Sequence, residues 1–383
     1  MEKEKMRLTE KERGVIKRAV LNIVKNMFLT INCGSSSVRA ALFSLDSSGK
    51  LSRLWEKHLP SHDLESLLSF LPEHPTTIGH RVVHGGARFR QTTQITEEIL
   101  HFLTTLSPLA PLHNTYSLKG IEVAKRLFPK ASHFAVFDTA FYAGFPQHVA
   151  LYPIPFEIAR KHEIRRYGFH GISHAYLWRR YLEMSGRKGG RVLSLHLGSG
   201  CSITATVDGI PIDTTMGFTP LEGVMMGTRS GSIDPSLVPY IATKEGISAE
   251  KIISLLNEQS GLLGISGLTG DMQTLLKEKT PMAELAIEMF LHSLIKAIGS
   301  LFALLGSIDA LLFSGGIGEN SPEIRKRLVE KLPWLSVSLD EEANQTASCL
   351  SPGTGREIST SSSITKIFAI ASDENLAIAE EIS

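Results

Sequence analysis

Hydrophobic and polar positions alternate with Gly/Ser punctuation in a pattern that occurs twice. Residues 28–32 (FLTIN) read as a strand, 33–37 (CGSSS) as a turn and 38–43 (VRAALF) as a returning strand, because short β-prone runs bounded by Gly and Ser signal a hairpin. Residues 192–196 (VLSLH), 197–200 (LGSG) and 203–207 (ITATV) repeat the arrangement. In each copy a polar side chain, Asn32 or His196, ends the first strand and is followed by x-Gly-Ser. Further on, 135–138 (AVFD) and 310–313 (ALLF) are short apolar strands that run into Asp-Thr-Ala and Ser-Gly-Gly-Ile-Gly, and the two are paired here as a second correspondence. Two halves that each open with a hairpin and continue through strands and helices predict duplicated α/β domains facing a cleft.

Helical periodicity adds three elements. Pro281–Leu305 is apolar around almost its whole circumference, which predicts a buried helix. Ser321 followed by Pro322 marks a helix start with Pro at its first position. Ser372 or Asp373 is the expected N-cap of a last helix running through Ala379.

A chain of 383 residues is too long for one ordinary core, in agreement with two domains. The expected division is 27–140 with 375–383 for one domain and 141–374 for the other. Residues 1–26, rich in both Lys/Arg and Glu, read as a solvated extension rather than a secretory or transit signal. A formal net charge of +1 offers no basic field, so no nucleic-acid partner is expected. Cys33, Cys201 and Cys349 form no CxxC pair, which argues against a disulfide framework and fits a reducing, cytoplasmic setting. No stretch is expected to span a bilayer, and no membrane partner is expected.

The chemistry concentrates in Gly-rich turns, whose successive backbone N–H groups grip phosphate without side-chain charge. Three occur: Gly34–Ser37, Gly198–Gly200 and Gly315–Gly318. At strand ends of two similar halves they favour a nucleotide cleft. The chain has no GxxxxGK[ST], no strand-linked GxGxxG and no protein-kinase signature, so those nucleotide folds are disfavoured.

The strings INCGSSS (31–37), GHRVVHGG (79–86), APLHN (110–114), VFDTAF (136–141), YGFHGISH (167–174), HLGSG (196–200), MGFTPLEG (216–223), MGTRSGSIDP (226–235), GIGEN (316–320) and DENLAIA (373–379) stand in one order. Together they resemble the acetate kinase family. The resemblance implies two α/β domains of the sugar kinase, Hsp70 and actin type. It implies reversible, direct in-line phosphoryl transfer between ATP/ADP and acetate with Mg²⁺, or Mn²⁺ in its place, in a homodimer.

A carboxylate nucleophile is already ionised at neutral pH and needs no general base. The site must instead bring anions together and stabilise charge on the phosphoryl group, a task suited to the planar arginine fork. Arg81 and Arg229 meet that need, while Arg88, Arg90, Arg165 and Arg166 read as surface or structural. By resemblance Arg81, Asp138, His170 and Arg229 carry catalysis. Arg81, Val83, Leu112, His113, Phe169 and Pro220 hold the acyl group. The nucleotide falls to Ser35, Ser37, Arg39, His196, Leu197, Gly198, Ser199, Gly200, Asp271, Met272, Gln273, Gly316, Ile317, Gly318, Glu319 and Asn320. Asn32 and Glu374 match the Mg²⁺-associated positions, and sparse protein oxygens suffice for a cation that keeps phosphate and water. The His80/His84 and His170/His174 spacings admit a zinc pair, but neither has the HExxH glutamate or a further ligand.

The chain departs from the family pattern at Cys33, Ser199, Asp271-Met-Gln273, His113-Asn-Thr-Tyr116 and Asn375. The rival readings are a propionate or butyrate kinase, since one or two methylenes shift a pocket by only about 1–3 kcal/mol, and a nucleotide-binding module of this fold without transfer.

Overall fold

The computed structural model describes residues 27–34, 37–59, 63–106, 111–348 and 350–383, without the side chains of 111–113. The chain divides into two compact units. The first holds residues up to Gly85, Gln91–Phe137 and Glu374–Ser383; the second holds Gly86–Arg90 and Asp138–Asp373.

In the first unit the strands are β1 (Met27–Cys33), β2 (Val38–Leu45), β3 (Leu51–Leu59), β4 (Thr77–Val82), β5 (Thr93–Gln94) and β6 (Ser132–Phe137). They form one sheet in the order β3-β2-β1-β4-β6-β5. The β1–β2–β3 meander is antiparallel, β1, β4 and β6 run parallel, and β5 closes the edge antiparallel. The second unit contributes β7 (Arg191–Leu197), β8 (Cys201–Val207), β9 (Ile210–Thr214), β10 (Ala310–Ser314), β11 (Gly355–Glu357) and β12 (Lys366–Ile370). Their order is β11-β12-β10-β7-β8-β9. Read from the other edge this is the same sheet: an antiparallel meander β7–β8–β9, then parallel β10 and β12, then antiparallel β11.

The duplication is therefore a shared strand order, and the two hairpins are its equivalent openings. One pairing needs correction. By order β4 corresponds to β10 and β6 to β12, so the strand before Asp138 is not the counterpart of Ala310–Phe313. Short parallel strands covered on both faces all read as brief apolar runs, and only hydrogen-bonding order separates them.

The first core lies between this sheet and flanking helices. Leu29, Ile31, Val38, Ala40, Leu42 and Ile78 pack with Leu64, Leu67, Leu68 and Ala124. On another side Phe28, Ala41 and Phe43 meet Ala379, Leu376 and Ile382 of the Glu374–Ile382 helix. That helix lies against the sheet at Gly79, where a Cβ would stand 2.6 Å from Ile378 Cγ2. Asn375 is buried there; its Oδ1 accepts from Thr30 Oγ1 at 3.2 Å and its Nδ2 donates to Glu56 Oε1 at 3.1 Å. The neutral amide at this departure thus ties helix to sheet.

The second core centres on the Pro281–Leu305 helix, which packs on Gly261–Ser266, Met272–Glu278 and strands β7–β9. Ala283, Ala286, Ile287, Phe290, Leu291, Leu294 and Ile298 are fully buried. By length and composition this helix is long and apolar enough to cross a bilayer, which corrects the expectation that no stretch reaches that length. Its apolar stripe is used instead by the unit's own core. The helix at Pro322–Glu330 starts as expected, with Ser321 Oγ accepting from Ile324 N.

Candidate active site

In the first unit, parallel pairing brings the ends of β1 and β4 side by side, and the Glu374–Ile382 helix begins beside them. Asn32 Nδ2 donates to Glu374 Oε2 over 2.5 Å. Arg81 Nη1 donates to the same carboxylate oxygen at 3.2 Å and to Asn32 Oδ1 at 3.4 Å. Arg81 and Glu374 are half-buried and Asn32 is buried, so the pair is better shielded than a surface bridge. Val83 is buried just beyond β4. Arg39 pairs with Asn32 across β1 and β2 and is exposed, and Ser37 closes the hairpin turn by accepting from Gly34 N at 2.9 Å. Ser35 lies outside the described residues, as do the side chains of Leu112 and His113. Neighbouring Asn114 is buried and clamps His84, accepting from its N and donating to its O, each at 3.1 Å.

Asn32 and Glu374 offer an amide oxygen and a carboxylate, hard donors of the kind Mg²⁺ selects. Among the described residues no three His, Cys, Asp or Glu side chains gather as a ligand set. The donor set fits a hard cation that takes its remaining oxygens from phosphate and water.

In the second unit the predicted residues gather around the β7–β8 turn. Gly198 N donates to Gly200 O at 3.1 Å. Gly315 lies directly on Leu197: its φ is +77°, and a Cβ there would stand 2.7 Å from the Leu197 carbonyl oxygen. The GIGEN residues that follow form a short helix, Gly315–Asn320, rather than an open turn. Gly227 N donates to Ser199 O at 3.3 Å, and Gly227 packs on Gly270, next to Asp271. The predicted nucleotide residues are thus neighbours within this unit. Asp271 caps the helix at Met272–Glu278 by accepting from Thr274 N at 2.8 Å. Gln273 and Ser199 are exposed, whereas Met272 is buried in the core, so it offers a ligand no side-chain surface.

Glu319 and Arg325 brace the GIGEN segment. Glu319 Oε1 accepts from Gly315 N at 2.8 Å and from Ser372 N at 2.9 Å. The fully buried Arg325 guanidinium donates to Gly318 O at 2.8 Å and Glu319 O at 2.7 Å.

His170 and Arg229 meet at Gly200. A Cβ there would stand 3.3 Å from Arg229 Nη1 and 3.4 Å from His170 Nε2. His170 holds a left-handed backbone, φ 57°, just before the Gly171–Ser185 helix. Gly171 packs against Asp138, where a Cβ would stand 2.0 Å from the Asp138 carbonyl oxygen. Asp138 and Phe169 are buried; Pro220 is half-buried and its carbonyl accepts from Arg229 Nη1 at 3.3 Å. Among the described residues no carboxylate pairs with Arg229, and burial lowers its pKa from the usual arginine value. A half-buried guanidinium with no carboxylate partner among the described residues is suited to receive an anion.

The orientation of His170 comes from residues that sequence reasoning missed. His170 Nδ1 lies 2.9 Å from Ser202 Oγ, which lies 2.8 Å from His174 Nε2. His174 Nδ1 is 2.6 Å from Ser194 Oγ, which donates to Thr204 O at 3.4 Å. With that last donor fixed, each proton follows: His174 Nδ1–H to Ser194, Ser202 O–H to His174 Nε2, His170 Nδ1–H to Ser202. His174 is neutral in this chain, as its burial requires: desolvation holds its pKa well below the ordinary value. His170 Nε2 and Arg229 Nη1 both border Gly200. His196 is fixed separately, Nδ1 to Ser173 Oγ at 2.9 Å, with its ring 4.3 Å from that of His170. A serine within a short β-prone run is the one sequence signal for Ser202, and it does not mark the residue as functional.

The acetokinase family model matches residues 62–380. An acetate kinase of Solibacter usitatus is 46% identical over 311 residues, covering 79% of this chain and 74% of that relative. Among solved structures, a propionate kinase from Francisella tularensis superposes with TM-score 0.83 at 38% identity, covering 93% of this chain and 99% of its own. The acetate kinase of Porphyromonas gingivalis gives TM-score 0.80 at 33% identity, covering 93% and 98%.

Proposed function

The chain belongs to the acetokinase family, and we infer that it moves the γ-phosphoryl group of ATP reversibly to acetate, giving ADP and acetyl phosphate. The observation that carries this reading is Arg229, half-buried, with no carboxylate partner among the described residues, and bordering Gly200 together with His170 at the Gly198–Gly200 turn. A binding module has no need to keep a guanidinium in that state.

Each role follows from charge. The acceptor carboxylate is ionised, so no residue need remove a proton. Arg81 orients that carboxylate and releases part of its hold on Glu374 to do so. Arg229 donates to the equatorial oxygens of the transferring phosphoryl group, where charge develops, and His170 joins it through Nε2–H when its ring carries a second proton, Nδ1–H being held by Ser202. Asp138 orients the reacting groups without forming a covalent intermediate. Val83, Leu112 and His113 of the first unit and Phe169 and Pro220 of the second are the residues that the family resemblance assigns to the acyl group. Backbone N–H groups of Gly198–Gly200 and the Gly316–Asn320 segment take the nucleotide. Asn32 and Glu374 would hold Mg²⁺, which supplies charge neutralisation on the phosphate oxygens.

Propionate is the second acceptor to test, since the propionate kinase resemblance spans 93% of the chain. Met282, Leu285 and Met289, apolar and exposed along one face of the Pro281–Leu305 helix, support assembly as a homodimer.

Trapping with hydroxylamine tests the reading. With Mg·ATP and acetate, propionate or butyrate, the wild type should yield acyl hydroxamate and rank its acceptors. Arg229→Ala should lower that yield by roughly 10²–10³-fold. ATP binding with no hydroxamate from any acid would sink the enzyme reading.

A further inference from the structure

The loop Thr215–Gly223 carries Pro220, yet its anchoring lies in residues to which no role has been assigned so far. Tyr152 donates its hydroxyl proton to Glu222 Oε2, and Tyr152 Oη accepts from Phe218 N at 2.7 Å. The other oxygen of Glu222 accepts from Arg166 Nη1 at 3.3 Å. Arg166 Nη2 donates to Asp213 Oδ1 at 3.2 Å and to Thr214 O at 2.5 Å. The loop is therefore closed on itself and tied back to β9. Gly217 is what lets the closure form: a Cβ there would stand 2.0 Å from Glu222 Oε2 and 2.1 Å from Tyr152 Oη.

Two outgoing bonds give the closure a consequence. Gly217 O accepts from Tyr167 N at 3.0 Å and Gly168 N at 3.3 Å, the residues that lead into His170. Three residues further along the loop, Pro220 O accepts from Arg229 Nη1 at 3.3 Å. One short loop thus aims the backbone that carries His170 and holds the guanidinium of Arg229. The separation of Gly217 O and Pro220 O therefore bears on how the two groups meet at Gly200, alongside the Ser202 contact that orients the His170 ring.

We propose that Tyr152 and Glu222 are positioning residues for phosphoryl transfer, their hydrogen bond across Gly217 fixing the loop that sets His170 and Arg229 relative to each other. The proposal rests on the reading above that these two groups serve the transferring phosphoryl. Neither Tyr152 nor Glu222 touches the reacting atoms; each acts through the loop. None of the hydrogen bonds named for this loop reaches Gly198–Gly200 or Gly315–Asn320, so kcat should respond more than KM for ATP.

The experiment measures hydroxamate formation, kcat and KM for ATP with the full chain, on wild type, Tyr152→Phe, Glu222→Ala and Glu222→Gln. Tyr152→Phe keeps the ring and removes the proton that Glu222 receives and the oxygen that Phe218 N–H meets. Loss of kcat by about tenfold or more, with KM for ATP within about twofold of wild type, is the expected result, because small misplacement of catalytic groups is costly. Glu222→Gln, which keeps size and an acceptor, should recover most of the kcat that Glu222→Ala loses, and it carries the test where Tyr152→Phe does not fold. A folded variant with lowered thermal midpoint but wild-type kcat would mark the closure as purely structural and overturn the proposal, as would a change confined to KM for ATP. Absence of hydroxamate from the wild type would overturn the underlying enzyme reading and the proposal with it, and is distinguishable because it precedes any mutation.

Discussion

Asn32 and Glu374 stand 342 positions apart in the chain, and the amide of the first donates to the carboxylate of the second over 2.5 Å. The bond exists because the last helix returns to the first sheet, seated over Gly79, so that its first residue arrives beside the end of β1. The same carboxylate oxygen also receives Arg81 Nη1. Glu374 is therefore the common partner of Asn32, proposed for the cation, and of Arg81, proposed for the carboxylate.

Removing its charge should separate those roles. Glu374→Gln keeps the shape and an acceptor oxygen but no longer draws a divalent cation. Hydroxamate yield should fall by about 10²-fold at fixed Mg²⁺, and the Mg²⁺ concentration for half-maximal rate should rise by about tenfold. Titration of the rate against Mg²⁺ decides it: an unchanged requirement would remove Glu374 from the metal site.

Gly200 gives a second prediction. Its missing side chain leaves room where Arg229 Nη1 and His170 Nε2 approach, and a methyl would sit 3.3–3.4 Å from both. Its φ is not in the left-handed region, so Gly200→Ala is sterically tight without backbone strain. Stability should change by no more than about 1–2 kcal/mol. The turnover number should fall by roughly tenfold or more, since the added methyl occupies space beside the two side chains proposed to meet the phosphoryl oxygens. A variant with unchanged kcat would show that the phosphoryl group does not pass over Gly200.

Legibility in the sequence divides along physical lines. The hairpins were readable because Gly and Ser bound them, and β1, β2, β7 and β8 differ from expectation only by residues at their ends. Strand equivalence was not readable, since β6 and β10 have the same brief apolar composition and differ only in hydrogen-bonded neighbours. Arg81 and Glu374 emerged through resemblance to a family, because nothing local joins positions 293 apart. The Ser202–His174 relay stayed hidden because a serine on a buried strand resembles any other packed residue. Arg166 reads from sequence as surface or structural, and its two carboxylate partners, Asp213 and Glu222, give it a structural role that no local motif announces.

Acid should destabilise the fold through histidines kept neutral by burial. Desolvation lowers the pKa of His80 and His174 well below the ordinary 6.5, that of His84 to about 4, and that of His133 by a smaller step. The unfolded chain then binds more protons than the native one as pH falls through 6.5. Stability is complete above that value and declines toward the folded pKa of each group, by up to about 1.4 kcal/mol per pH unit per histidine. Urea midpoints measured at pH 7.5 and 5.5 should differ clearly, the lower pH giving the lower midpoint. Equal midpoints would mean that these rings accept protons without leaving the core.

Arg325 shows how the nucleotide segment is held. It is fully buried, and burial lowers its pKa to about 10, which still leaves it charged at neutral pH. Its guanidinium supports Gly318 O and Glu319 O, and on its other side it binds Asn344 Oδ1 and O, each at 2.7 Å. Those carbonyls close the short Gly315–Asn320 helix, so the guanidinium stands in for the next helical turn. Arg325→Met would fill similar space but strand four acceptors in the core, at a cost of about 3–5 kcal/mol. The thermal midpoint should drop by roughly 5–15 °C. KM for ATP should rise in protein that remains folded, while the acetate dependence should hardly move, because Arg325 braces only the segment assigned to the nucleotide. A parallel rise in both Michaelis constants would contradict that assignment and place the Gly316–Asn320 segment at the acyl end instead.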